Sequence, residues 1–125
     1  MQIKKLYLAF AFAAVAIIAT LYGLSPHWFA RTFLDVPDLD VSLAHILRAV
    51  MGLYLAFGLF WLYAAFHDRY RDAAVLSTVI FCAGLASGRL ISFAADGRPA
   101  PLLLLYAAME FILAPIGLWV LKRPD

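Results

Sequence analysis

Four side chains in this sequence could do chemistry where chemistry is expensive. His45, Arg48, Arg89 and Glu110 each stand inside a long apolar run, and Glu110 is the lone charge in PLLLLYAAMEFILAP, residues 101–115. A carboxylate in such a run is costly if it faces hydrocarbon, so it needs a partner, a proton or a wet cavity. Arg48 lies six residues inside the run 42–66, Arg89 six residues inside 73–95 counted from Ala95, and Glu110 eight residues inside 102–121. Read as helices rising ~1.5 Å per residue, these depths are about 9, 9 and 12 Å. Three segments thus bring charges to one level, with His45 one turn nearer the same surface. Arginine keeps its charge and can hold a carboxylate through two parallel hydrogen bonds, so pairing of Glu110 with Arg48, Arg89 or both is expected. Two arginines against one glutamate leave a surplus positive charge. A lipid phosphate, a small anion, a substrate carboxylate or a partner protein's acid could neutralise it. Two plainer readings stand beside this one: the pair could serve helix registry alone, or the arginines could reach up to the interface.

The elements that position these groups follow from composition. The chain has 125 residues, of which 66% are hydrophobic and 14% charged. Its mean hydropathy is +0.89. Soluble domains carry about 25% charged residues, so this composition belongs to the membrane class and to one domain, residues 1–125. Four apolar stretches, at about residues 6–24, 42–66, 73–95 and 102–121, are each near the ~20 residues that cross a bilayer as a helix. The first follows MQIKK and could be a signal peptide, but it lacks a small-x-small site before a hydrophilic region and reads as a retained span. Lys4, Lys5, Arg69, Arg71, Lys122 and Arg123 fall on one side of the spans. The positive-inside rule then places both termini in the cytoplasm. Trp28, Trp61, Tyr63 and Trp119 stand near span ends, as interfacial anchors do.

The loop SPHWFARTFLDVPDLDV opens with Ser25 and Pro26, a helix-start signal. It predicts a short helix on the outer membrane surface, ending before Pro37, with Trp28, Phe29, Thr32 and Phe33 on one face; an irregular loop is the alternative. The short loops HDRYRD and DGRPAP favour antiparallel neighbours. The expected fold is therefore an all-α membrane protein, four transmembrane helices in an up-down-up-down bundle with a short outer interfacial helix between spans one and two.

Small residues suggest how the helices approach. Gly84 and Gly88, four apart, give span three a close-contact face. Ala44, Arg48, Gly52 and Ala56 form a row on span two, and Tyr106, Glu110, Ala114 and Gly117 a comparable row on span four. Pro115 removes a backbone donor one turn after Glu110 and predicts a kink that could open a polar pocket. Thr20, Tyr22, Tyr54 and Tyr106 could lend hydroxyls to such a pocket or simply fill the core. Cys82, the single cysteine, excludes a disulfide within the chain and a CxxC redox pair, and reads as a buried, inert thiol. No HExxH, P-loop or Ser-His-Asp arrangement occurs, and His45 is the only histidine inside a span. No metal, haem or other cofactor and no nucleic acid are expected, and no catalytic residue can be named.

The segments HILRAVMGLYLAFGLFWLYAA, FCAGLASGRLIS, DGRP and MEFILAP resemble a family of small bacterial four-helix membrane proteins, domain of unknown function number four thousand three hundred and forty-five. Its marks here are Arg48 with Gly52, Gly88 with Arg89, the turn from Gly97 to Pro99, and Glu110. The resemblance runs from about Tyr22 onward. It implies the four-helix fold, supports interest in these residues and brings no activity with it; a location in the bacterial inner membrane is expected.

Three functions follow as expectations. The first is a module that binds an anionic lipid or small anion at His45, Arg48, Arg89 and Glu110, or docks on a larger membrane complex. The second is a subunit of a small homo-oligomeric transporter. The third is a membrane enzyme using Glu110 or His45 as general acid or base.

Overall fold

The computed structural model describes residues 3–124, so Met1, Gln2 and Asp125 of the expected single domain lie outside the described residues. It contains five helices: α1 (Ile3–Gly23), α2 (Pro26–Phe33), α3 (Val41–Ala65), α4 (Arg71–Ala95) and α5 (Pro101–Leu121). One 3-10 turn, Asp68–Tyr70, precedes α4. Helices α1, α3, α4 with its leading turn, and α5 are long and apolar enough to cross a membrane. A backbone in hydrocarbon must satisfy its polar groups internally, which a helix does residue by residue.

Local chemistry sets the boundaries. The Asp40 carboxylate accepts the Ser42 N–H at 3.4 Å and caps α3. Pro26 and Pro101 open α2 and α5, at the position where a missing N–H costs nothing. Ser25 precedes α2 but makes no side-chain cap bond. Asp35, with φ 59°, turns the chain after α2, and Val36 N–H returns to the Ala30 carbonyl at 3.0 Å. Gly97 has φ +89°, a left-handed conformation that glycine adopts freely, and it separates α4 from the Pro99–Pro101 lead into α5.

The long helices alternate in direction. At one end Lys4 reaches Asp72, Lys5 lies over the Phe66 ring, and Tyr7 donates to the Leu113 carbonyl at 2.8 Å. At the other end Arg48 reaches Gly23 and Arg89 reaches Glu110. Helix α1 is the hub. Its buried residues Leu8, Ala11, Val15 and Ala19 recur every three or four positions and form one narrow stripe. Helix α3 packs closely along α1, and α4 along α5.

The close approaches are not those the small-residue pattern predicts. Gly52, Gly84 and Gly88 have open space where a Cβ would stand. Neighbouring side chains press on other glycines instead: Met51 on Gly23, Val15 on Gly58, and Tyr7 and Val79 on Gly117. The reason lies in α3 and α4. Trp61, Phe57 and Tyr54 all pack on Phe81, and beyond this aromatic wedge the two helices part. Trp61 is also not an interfacial anchor: it is 1% exposed, with its indole N–H on Ser77 Oγ at 3.0 Å. Trp28, Tyr63 and Trp119 are exposed.

Candidate functional site

The parting of α3 and α4 leaves a groove of about 410 Å³. Its walls are apolar, with Leu47 and Val50 from α3 and Leu85 and Leu103 from α4 and α5, and Leu34 borders the end nearest α2. Gly84 and Gly88 line it, so their lack of side chains widens a groove rather than tightening a helix contact. Arg89 and Ser92 supply polar groups.

Arg89 reaches from this groove into the bundle. Its Nε donates to Glu110 Oε1 at 3.2 Å and one terminal nitrogen donates to Oε2 at 3.4 Å. This is the two-pronged arrangement in which a guanidinium grips a carboxylate. Glu110 is buried and Arg89 partly so. The Tyr22 hydroxyl lies beside the guanidinium. On the inner side Glu110 borders a small cavity of about 30 Å³ with Tyr54, Thr78, Cys82 and Tyr106. Tyr22 packs edge-on against both Tyr54 and Tyr106, with ring centroids 6.0 and 5.7 Å apart. Tyrosines from α1, α3 and α5 thus enclose the ion pair. Tyr106 is 3% exposed, and its hydroxyl is the one buried side-chain polar atom among the described residues without a hydrogen-bond partner.

Of the residues expected to cluster, Arg89 and Glu110 come together; Arg48 and His45 do not join them. Arg48 is exposed and donates to the Gly23 carbonyl at 3.2 Å. Gly23 ends α1, where carbonyls lack intrahelical partners and the helix dipole is negative, so a guanidinium is well placed there. The expected surplus buried cation is therefore absent: Arg48 serves a helix end. His45 is also exposed, because α3 presents Ala44, Tyr54, Gly58 and Trp61 inward and His45 stands about 100° round from Ala44. Pro115 is exposed inside an α5 that runs unbroken to Leu121, and it lines neither the groove nor the cavity. The expected proline-opened pocket does not form. The opening comes from the α3–α4 wedge.

Two buried charges escape the sequence reading, which takes them as topology signals. Lys4 is buried and pairs with Asp72 at 2.6 Å. Arg71 is buried, donates to the Ala64 and Ala65 carbonyls at the end of α3 and pairs with Asp68. The available signal is position: Arg71 follows the end of α3, where carbonyls need donors, and Lys4 at the start of α1 meets the Asp72 carboxylate at the start of α4. Among the described residues no group of three or more His, Cys, Asp or Glu could hold a metal ion.

Comparison with known protein families decides the relationship: the profile of a domain of unknown function, DUF4345, matches residues 3–121. The chain belongs to the DUF4345 family. Neither the curated proteins nor the solved structures gave a significant match. The match spans all five helices, so Arg89, Glu110 and the three surrounding tyrosines lie within the DUF4345 domain.

Proposed function

We propose that this DUF4345 protein is a membrane-embedded binding module for an anionic amphiphile, with the apolar body of the ligand lying in the α3–α4 groove and its charged head at Arg89. The observation that carries this reading is the position of Arg89, which borders an open, apolar-walled groove while Glu110 holds only two of its N–H groups. Tyr22 engages the guanidinium as well, and the donors that remain suit a phosphate, sulfonate or carboxylate head. A groove open sideways between two spanning helices admits a lipid chain directly from the bilayer. The glycine pair lining it supports the same reading, since larger residues there would occupy the space.

Filling the groove tests this. Gly88→Leu should leave thermal stability within about 1 kcal/mol, because a Cβ at Gly88 meets nothing within 4 Å and open surface changes are usually mild. Anionic lipid retained through purification, measured by mass spectrometry, should fall at least several-fold. Unchanged lipid occupancy in a folded Gly88→Leu variant would remove the basis for a groove ligand.

We propose in addition that the protein lies in the bacterial inner membrane with both termini cytoplasmic. Lys4, Lys5, Arg69, Arg71, Lys122 and Arg123 gather at one end of the bundle, which the positive-inside rule assigns to the cytoplasm. In intact cells, a membrane-impermeant maleimide should label Asp38→Cys and leave Lys122→Cys unlabelled, with the buried Cys82 silent. The reverse labelling pattern would invert the topology.

A further inference from the structure

The ion pair stands in the common wall of two spaces. Arg89 borders the outer groove, and Glu110 borders the inner cavity. The titratable and charged groups facing Glu110 come from every neighbouring helix: Tyr22 from α1, Tyr54 from α3, Arg89 and Cys82 from α4, and Tyr106 from α5. Arg89 is the one cation among them. An anion that takes hold of Arg89 therefore competes with Glu110 for a single guanidinium. Two negative groups against one positive leave a net charge of minus one, and an uncompensated charge in apolar surroundings is strongly disfavoured. One proton restores neutrality.

The structure also holds a partner for the protonated acid. Tyr106 lies four residues before Glu110 on α5, so the two side chains are neighbours on one helix face. The Tyr106 hydroxyl is buried and unpartnered, and both residues border the same cavity of about 30 Å³. A carboxylate bonded to Arg89 is purely an acceptor, whereas a protonated carboxyl gains an O–H that can donate to a phenol oxygen. The unsatisfied hydroxyl is thus explained as one of two alternative partners of Glu110.

We infer that the groove takes up its anion together with one proton, the anion drawing Arg89 away from Glu110 while Glu110 accepts the proton and turns to the Tyr106 hydroxyl. This rests on the reading of the groove as an anion site and adds the coupled proton. The proton comes from water at the groove mouth and ends on a Glu110 oxygen; no other bond is made or broken. Binding of a permanently charged anion then tightens as pH falls, by about tenfold per unit while Glu110 is ionised in the free protein.

The test uses the full chain in nanodiscs of zwitterionic lipid and dodecane-1-sulfonate below its micellar concentration, a probe whose head stays ionised throughout. Calorimetry in two buffers of different ionisation enthalpy should give an uptake of about one proton per sulfonate bound, with affinity rising toward acid pH. Glu110→Gln should bind with no uptake and no pH slope. Sulfonate binding without proton uptake in the wild type overturns the coupling and leaves the anion groove standing. Uptake that persists in Glu110→Gln also overturns it, since the proton then lies elsewhere. No sulfonate binding at any pH overturns both. If Glu110→Gln does not fold, Tyr106→Phe replaces it: loss of the phenol oxygen that accepts from the protonated acid should move the uptake to more acid pH, and an unmoved uptake overturns the coupling.

Discussion

Arg89→Leu is expected to destabilise the protein by about 3 kcal/mol, the lower end of the range for removing one member of a buried ion pair. The lower end applies because the Arg89 side chain keeps 19% of its exposure while Glu110 keeps 9%. The substitution strands a carboxylate among tyrosines and a small apolar-lined cavity. Glu110→Leu strands the guanidinium instead and should cost somewhat less, since Arg89 can turn into the groove. The double variant Arg89→Leu, Glu110→Leu should recover most of the loss and come within about 1–2 kcal/mol of wild type, because apolar groups can replace a buried pair. Unfolding of all four proteins in mixed micelles, read as a double-mutant cycle, checks this. A double variant as unstable as the sum of the singles would mean that the two residues do not act as a pair. The cycle also separates stability from binding: the double variant should fold and yet bind no anion.

Gly117→Ala should cost about 1–3 kcal/mol, the usual penalty for overpacking, while Gly84→Ala should change stability by less than about 0.5 kcal/mol. A Cβ on Gly117 would collide with the Tyr7 hydroxyl and a Val79 methyl, where α1, α4 and α5 converge. It would also disturb the bond from Tyr7 to the Leu113 carbonyl. A Cβ on Gly84 meets nothing within 4 Å. Thermal unfolding of the two alanine variants side by side measures the contrast. Equal losses at both positions would mean that α4 is packed through Gly84 after all, and that the groove is closed.

The groove and the registry reading of the ion pair are compatible. Arg89 joins α4 to α5, and α1 holds the rest through its buried stripe of Leu8, Ala11, Val15 and Ala19. A pair that fixes the register of two helices also delivers a guanidinium at a set depth in the groove wall. Registry then serves binding.

The glycines show best where sequence reading stops. Gly52, Gly84 and Gly88 satisfy the spacing for a close helix contact, yet all three face open space. Gly58, outside that pattern, lies against Val15. Spacing says that two residues share a face; it does not say which neighbour that face meets. The deciding residues are large. Trp61, Phe57 and Tyr54 on Phe81 hold α3 and α4 apart at the level of Gly84 and Gly88. The arginines teach the same point. Arg48 and Arg89 sit at equal expected depths, but a flexible side chain goes to the nearest acceptor. For Arg89 that is Glu110 and for Arg48 the carbonyl ending α1.

The number of long helices, their limits to within a few residues, the short helix after Pro26, and the pairing of Glu110 with one of two arginines are all legible in the order of residues. These follow from local or one-dimensional physics: the length of an apolar run, the proline and aspartate signals at helix starts, and the cost of a charge in hydrocarbon. Which arginine reaches Glu110, the enclosure of the pair by three tyrosines, the burial of Lys4 and Arg71, and the opening of α3 and α4 into a groove are settled by packing in three dimensions. Those outcomes depend on how each helix is rotated about its axis. That rotation is set by the summed fit of many weak contacts between residues far apart in the chain, which no local pattern records.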